Sequence, residues 1–141
     1  MRLVRGVPGI FDVRPEDHDR ALGILRQLRP SLDKSAFEQQ LATQMDYRLI
    51  GSYTPALSAL IGLRLIEAPD RRRHLNLEEL VVAETYRGQG LSRALLSFAG
   101  GEARRMHCTA ILLDSPQAMH PFFEKHGFVP HEGTLLRKPF E

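Results

Sequence analysis

The stretch ELVVAETYRGQGLSRALL, residues 79–96, joins a β-favouring run to an apolar helical pattern through two glycines. After the second glycine the apolar residues fall at helical spacing, so a helix is expected to begin at about Leu91 or Ser92. The first turn of a helix has unpaired N–H groups and a partial positive charge, and glycine lets an anion approach the backbone because it lacks a Cβ. The stretch therefore predicts a phosphate site, flanked by Arg87 and Arg93.

Two familiar phosphate loops do not fit these residues. A Rossmann dinucleotide loop would need glycine where Arg93 stands, and it belongs to a larger sheet than this chain can form. The nucleotide-hydrolysing P-loop needs a lysine beside its last glycine, but no lysine occurs between Lys34 and Lys125. A purely structural glycine-rich turn stays open as an alternative on this pattern alone.

The chain before this loop predicts two helices and then three strands. A short strand precedes a helix that runs from about Pro15 to Pro30, because proline suits a first helical turn and cannot continue the helix later. A second helix is expected over DKSAFEQQLATQM (33–45), where Ser35 and Glu38 have the spacing of a capping box. Three β-favouring runs then suggest a meander, and they cover residues 47–54, 56–68 and 73–83.

The chain after the glycine loop predicts more alternating elements. The run TAILLD (109–114) is nearly continuously apolar, which is typical of a strand buried on both faces. A short helix in QAMHPFFEKHGF (117–128) should end at Gly127, and TLLRK (134–138) suggests a final edge strand. The predicted fold is a mixed α/β sheet with helices on both faces, in a single domain over residues 1–141.

Composition narrows the class of protein further. The chain has 141 residues, of which 43% are hydrophobic, and no stretch approaches the roughly 20 apolar residues that cross a bilayer. Met1 to Gly9 lacks the apolar centre of a signal peptide, so we expect a cytoplasmic protein without a membrane partner. A net charge of +2 without interleaved aromatic residues gives no reason to expect nucleic acid as a partner.

Metal binding is not expected. Cys108 is the only cysteine, which rules out an intrachain disulfide and a cysteine-based zinc site. No pair of histidines has the i, i+4 spacing of a helical metal site, although a histidine site stays open as a minor alternative. The histidines considered for it are His107, His120, His126 and His131.

Two motifs together resemble the GNAT superfamily of acetyl-CoA-dependent N-acetyltransferases. In that family the pyrophosphate loop reads Arg or Gln, two residues, Gly, one residue, then Gly or Ala; Arg87 and Gly90 match it, with Gly88 beside them. Downstream, FFEKHGF (122–128) resembles the second family signature, F-Y-E-K-x-G-F. The resemblance, which extends over the element order from Ile10 to Lys138, implies a mostly antiparallel sheet of about six or seven strands.

The resemblance also implies acetyl-CoA as cofactor and assigns residues to it. Leu80 and Val82 would offer main-chain groups to the pantetheine amides, where the third strand of the meander splays from its neighbour. The pyrophosphate would lie among the loop residues and the first helical turn, at Arg87, Gly88, Gln89, Gly90, Leu91, Ser92 and Arg93. Ser92 departs from the family pattern, but a serine is small and suits a helix N-terminus.

A larger departure concerns the proton donor. Phe123 stands where many family members have a tyrosine that protonates the departing thiolate of coenzyme A. A thiol of pKa about 8.5 leaves readily near neutral pH, so we expect slower or water-assisted chemistry rather than none. The candidate substitutes are His120, His126, Ser115 and Tyr86.

The reaction also needs a base if the acceptor is a protonated primary amine. By resemblance Glu79 is the first candidate and Asp114 the second. Consecutive strand residues point to opposite faces, so only one of Glu78 and Glu79 is expected to face the acceptor cleft. Main-chain N–H groups of the same strand would stabilise a tetrahedral intermediate.

The acceptor itself has no recognisable code in the sequence. A small amine and a protein amine both stay open, and a homodimer is compatible with the resemblance. Because Phe123 replaces the tyrosine, the alternative function is a catalytically weak or inactive acyl-CoA-binding module of the same fold.

Overall fold

The computed structural model describes residues 9–68, 71–131, 133 and 136–140, which form five strands and four α-helices. In chain order these are β1 (Gly9–Asp12), α1 (His18–Leu25), α2 (Lys34–Thr43), β2 (Tyr47–Tyr53), β3 (Leu57–Ala68), β4 (Arg71–Val82), α3 (Leu91–Arg105), β5 (Ala110–Leu112) and α4 (His120–Lys125). Short 3-10 turns precede α1, α3 and α4, at Pro15–Asp17, Glu84–Tyr86 and Gln117–Met119.

The strands form one mixed sheet in the order β1-β2-β3-β4-β5. Each pair up to β4 is antiparallel, and β5 is parallel to β4. The fold class is thus confirmed, but the expected six or seven strands are five within the described part of the chain. The predicted strand TLLRK falls partly outside it: Thr134 and Leu135 are not described, and residues 136–138 form no strand.

Apolar side chains cover both faces of the sheet, as expected. On one face, Leu22 of α1 and Phe37 of α2 pack with Leu60 and Val81 in one buried cluster. On the other face, a second buried cluster is formed by α3 and α4 with the strands, and it includes Ile61, Leu95 and Phe123. Helices from both halves of the chain therefore flank the central strands β3 and β4.

Three local expectations need correction. The N-cap of α2 is Asp33, whose side chain accepts a hydrogen bond from the N–H of Ala36 at 2.9 Å, so Ser35 and Glu38 do not form the predicted capping box. The helix α1 ends at Leu25 rather than at Pro30. The strand β5 is not buried on both faces, because it lies at the edge of the described sheet and Ala110 is exposed.

The end of α4 follows the prediction. Gly127 lies two residues after Lys125 with φ at +92°, the left-handed region that glycine adopts without strain. The N–H of Gly127 donates to the carbonyl of Glu124, and the N–H of Phe128 donates to that of Phe123, both at 3.1 Å. This pair of bonds is a Schellman motif, which fixes the chain direction after the signature FFEKHGF.

None of the helices formed by the described residues is long and apolar enough to cross a membrane.

Candidate active site

The strand β4 has an open edge over its second half. The strand β5 pairs with it only at His74, Leu75 and Asn76, and no described strand continues that pairing from residue 77 to residue 82. Alternate residues of an antiparallel strand bond the same neighbour, and the N–H of Ala83, just after β4, donates to the carbonyl of Ser58 in β3. Leu80 and Val82 therefore turn their main-chain groups away from β3, toward the open edge.

A β-bulge at Glu78 changes which side chains share a face of β4. Gly62 of β3 is paired with Glu79 and the next residue, Leu63, with Leu77, so Glu78 is the extra residue. Glu78 bonds Arg64, whose guanidinium lies over the ring of Tyr47, and Tyr47 in turn bonds Glu79. Both carboxylates thus lie on the same face. The bulge interrupts the strand alternation on which the expectation rested, yet of these two carboxylates only Glu78 lines the cavity described below.

Glu79 is the buried carboxylate of the site, only 5% exposed. The hydroxyl of Tyr47 donates to one carboxylate oxygen, and Nη2 of Arg29 donates to the other at 3.3 Å. A Cβ at Gly62 would collide with the side-chain oxygens of Glu79 and Tyr47, so glycine leaves room for this hydrogen-bonded pair. Burial raises the pKa of Glu79 above its ordinary value, and the charge and hydrogen bond of Arg29 offset part of that rise.

A cavity of about 790 Å³ opens between β4, β5 and α4. Its walls contain several of the residues that the sequence singled out, among them Asp114, Ser115, His120 and Phe123. The walls also include Glu78 and Arg29, and Arg29 joins the cavity to the buried Glu79. The cavity therefore reaches the beginning of the open part of β4, at Leu77 and Glu78, and has one arginine and several carboxylates at its surface.

The candidate proton donors separate into two groups. The ring of His120 is 3.2 Å from the carbonyl of Ser115, and both residues line the cavity. His126 instead packs against the ring of Phe122, and Tyr86 packs against the core beside α1; neither lines the cavity. Only His120 and Ser115 are thus brought to the cavity wall.

Phe123 is a buried part of that wall. Its ring is 5.1 Å from that of Phe122 and 5.6 Å from that of Phe128, both edge-on, and it is 8% exposed. Edge-to-face aromatic contacts of this kind hold the ring in place. The wall is therefore firm at this position and carries no hydroxyl there.

Asp114 differs from Glu79 in its surroundings. It lies two residues after β5, at the cavity, where its side chain is exposed and makes no hydrogen bond or ion pair with any described residue. A solvated carboxylate of this kind can accept a proton from a ligand without first breaking an ion pair.

The glycine loop leads from β4 into α3. Gly88 and Gly90 have φ angles of +81° and +76°, and a Cβ at either position would meet no neighbouring atom within 4 Å. Glycine is therefore needed for the backbone conformation. It also leaves the loop surface open. Because α3 begins at Leu91, the N–H groups of its first turn have no acceptor within the helix.

The loop fits a phosphate-bearing group by its chemistry. Arg87, Gln89 and Arg93 are exposed around it, and the N–H groups of Leu91 and Ser92 are at the positive end of a 15-residue helix. Backbone donors beside two arginines form the donor set that a pyrophosphate requires. No group of three or more His, Cys, Asp or Glu side chains in the described part of the chain could hold a metal ion.

Sequence reasoning missed the partners of Glu79. Tyr47 and Arg29 lie 32 and 50 residues away along the chain, and neither belongs to a recognisable motif. The one available signal was Gly62 within a strongly β-favouring run, since an isolated glycine in a strand often marks a close approach.

The chain is similar to known acetyltransferases. The family model described as acetyltransferase (GNAT) domain matches residues 57–130. Over 60 residues the chain is 40% identical to the glucosamine 6-phosphate N-acetyltransferase of Trypanosoma brucei brucei, a match that covers 43% of this chain and 41% of that protein. The match thus spans less than half of that relative's length.

Solved structures share the fold over nearly all of the chain. An acetyltransferase from Trypanosoma brucei has a TM-score of 0.78 at 23% identity, and the match covers 94% of this chain and 100% of that one. The glucosamine-6-phosphate N-acetyltransferase of Arabidopsis thaliana has a TM-score of 0.78 at 18% identity, with 96% and 99% covered.

Proposed function

The chain belongs to the GNAT acetyltransferase family, and from this premise we propose that it is an acetyl-CoA-dependent N-acetyltransferase that acts on a primary amine. The observation that carries the proposal is the open edge of β4, which borders a cavity of about 790 Å³ and ends in a glycine loop at the start of α3. We also propose that residues 1–141 act as a single domain.

The residues proposed to hold acetyl-CoA follow this edge. Leu80 and Val82 offer main-chain groups, and the loop and first turn of α3 offer backbone N–H groups to the pyrophosphate. The full set is Leu80, Val82, Arg87, Gly88, Gln89, Gly90, Leu91, Ser92 and Arg93. Bound in this way, the cofactor supplies a thioester, which is an activated acyl group.

The proposed base is Glu79, with Asp114 as the second candidate. A primary amine of pKa about 10.4 is protonated near neutral pH and must lose a proton before it attacks. The raised pKa of Glu79 makes its carboxylate a better proton acceptor than an ordinary glutamate, and Tyr47 and Arg29 hold it in place. Asp114 has the more direct access to the cavity.

Proton return to the leaving thiolate is proposed to involve His120, Ser115 or water. His120 and Ser115 line the cavity, whereas Phe123 has no proton to donate. A thiolate leaving group with a conjugate pKa of about 8.5 needs little assistance near neutral pH.

A primary amine of low molecular mass is the proposed acceptor class, and glucosamine 6-phosphate is the first compound to test. The relative from Trypanosoma brucei brucei is named for this substrate. The cavity volume is large enough for a small amine next to an extended thioester arm.

The second candidate function is an acyl-CoA-binding module with weak or no catalysis. The observation that favours it is Phe123, which fills the place of the family's proton donor with a buried phenyl ring. Such a protein would hold acetyl-CoA by the same loop without accelerating acyl transfer.

A thiol-release assay distinguishes the two functions. Free coenzyme A is measured while acetyl-CoA is incubated with the protein and a panel of amines, led by glucosamine 6-phosphate. We expect at least one amine to raise the rate about 100-fold or more above hydrolysis, within the range of about 10²–10⁴-fold that acid–base catalysis supplies. Tight acetyl-CoA binding without acceleration by any amine would instead favour the binding module.

A further inference from the structure

The segment just after α1 is hydrogen-bonded to the open edge of β4. Gln27 lies two residues after the end of α1, and its side-chain Nε2 donates to the carbonyl of Val82 at 2.9 Å. The N–H of Glu84 donates to Oε1 of the same side chain at 3.1 Å. One amide group therefore bridges the end of β4 and the start of the turn that follows.

This amide makes the hydrogen bonds that a neighbouring strand would make at this point of the edge. In a sheet, the carbonyl and N–H groups along one edge bond to a neighbouring backbone. The strand β5 has left this edge after Asn76, and Gln27 offers one donor and one acceptor at its far end. The carbonyl of Val82 is thereby bonded to Gln27, so among the described residues Val82 offers its N–H at this edge, whereas Leu80 offers both its N–H and its carbonyl.

The same amide holds the first residue of the 3-10 turn that connects β4 to the glycine loop. The 3-10 turn Glu84–Tyr86 has no side-chain cap of its own, because its N-cap is Ala83. The side chain of Gln27 accepts a hydrogen bond from the N–H of Glu84, which would otherwise be bonded to water. Two residues further along, Arg29 bonds the side chain of Glu79, so the segment after α1 is hydrogen-bonded to β4 at two residues, Glu79 and Val82.

We propose that Gln27 is a positioning residue that sets the glycine loop for the cofactor and couples its position to α1. The inference rests on the proposed function, since the loop is taken to bind acetyl-CoA. Gln27 is exposed, so removal of its polar atoms opens no cavity in the core. Its effect is therefore on loop geometry and ligand affinity, with little effect on global stability.

The test compares Gln27→Met with Gln39→Met. Methionine keeps the length of glutamine but has no amide, and Gln39 is an exposed glutamine of α2 that is remote from the loop in sequence. Calorimetry measures acetyl-CoA affinity, hydrogen exchange measures protection of the Glu84 amide, and thermal unfolding measures stability. We expect Gln27→Met to raise the Kd about tenfold, to reduce Glu84 protection and to leave Tm within about 3 °C of the wild type.

The outcomes separate this inference from the proposed function. If the wild type binds acetyl-CoA and the Kd of Gln27→Met is within about twofold of the wild-type Kd, the role of Gln27 is overturned and the proposed function is not. A weakened Kd accompanied by a large fall in Tm would also overturn it, because the effect would then be structural. No affinity in the wild type would contradict the proposed function, and the role of Gln27 with it.

Discussion

Gly90 combines two requirements at one residue. Its φ of +76° favours glycine, and its open surroundings leave the start of α3 accessible. The sequence predicted the second requirement from the position of the glycine before a helix. The positive φ became visible only in the structure, because a glycine in a loop is compatible with many backbone conformations.

Substitution of Gly90 by Asp is expected to abolish acetyl-CoA binding while the chain stays folded. The new carboxylate would repel the pyrophosphate at the positive end of α3. Gly90→Asn is the matched control, because asparagine has the same size and also tolerates a left-handed φ. Calorimetry should show a far larger loss of acetyl-CoA affinity in Gly90→Asp than in Gly90→Asn. Wild-type affinity in both variants would contradict the assignment of the loop.

Substitution of Glu79 by Gln is expected to lower kcat about 100-fold or more, as loss of a general base does. A base acts in its deprotonated form, so the wild-type rate should fall as pH drops through the raised pKa of Glu79, above the range of an ordinary glutamate. Steady-state kcat/KM profiles should lose this acidic limb in the variant.

The controls for Glu79 are Asp114→Asn and Glu78→Gln. Both carboxylates line the cavity, whereas Glu79 lies behind Arg29. If Asp114→Asn removes the acidic limb and Glu79→Gln retains it, Asp114 is the base instead.

Substitution of Phe123 by Tyr is expected to raise kcat at least about threefold, because the new hydroxyl can protonate the leaving thiolate. The KM for acetyl-CoA should change little, since the ring keeps its aromatic neighbours. Phe122→Tyr is the control, as Phe122 touches the ring of Phe123 but does not line the cavity. An unchanged rate in Phe123→Tyr would show that proton return does not limit turnover.

At the scale of elements, β4 shows where sequence patterns stop being informative. Its β-favouring run correctly predicted a strand that leads to the loop. Strict alternation failed at Glu78, because a bulge is set by the register with β3 rather than by the residues of β4 alone. The bulge brings Glu79 to Tyr47 on the face of α1 and α2, so the surroundings of the proposed base depend on pairing between strands.

The contact between α3 and β2 gives a prediction about stability. Oε1 of Glu102 accepts hydrogen bonds from Arg105 at 2.8 Å and from Arg48 at 2.5 Å. These two cations lower the pKa of Glu102 from 4.5 to about 2. A lowered folded-state pKa stabilises the fold above the ordinary value, and this contribution is lost as pH falls from 4.5 toward 2.

Glu102→Gln should therefore reduce the free energy of unfolding by about 1 kcal/mol at neutral pH, since the exposed Arg105 is partly screened by water. The difference from the wild type should shrink on acidification through the same interval. Urea unfolding at several pH values measures this difference in the free energy of unfolding. The control is Glu67→Gln, because Glu67 belongs to an exposed ion pair with Arg73. A difference that is constant with pH would contradict the assigned pKa.

At the scale of the whole molecule, the order of helices and strands was largely predictable. Periodicity and glycine positions located the strands of the meander and the helices α3 and α4 close to their observed bounds. The number of strands and the exposure of β5 could not be predicted from the sequence, because they depend on which strand edges pair. A short apolar run such as residues 109–114 is compatible with either a buried or an edge strand.

The cavity is a property of the assembled fold. Arg29, Glu78 and Asp114 come from three distant parts of the chain, and they line one cavity because β5 leaves β4 after Asn76. Motifs therefore predicted the glycine loop and the helix that carries FFEKHGF, whereas the cavity between β4, β5 and that helix depends on the sheet topology.

The central claim is that this fold binds acetyl-CoA along β4 and the glycine loop. Calorimetric titration of acetyl-CoA into the folded wild-type protein tests it most directly. We expect saturable binding at one site per chain, with a Kd of about 1 mM or tighter, in line with the usual range of enzyme substrates. The absence of any measurable affinity in a protein shown to be folded would contradict it.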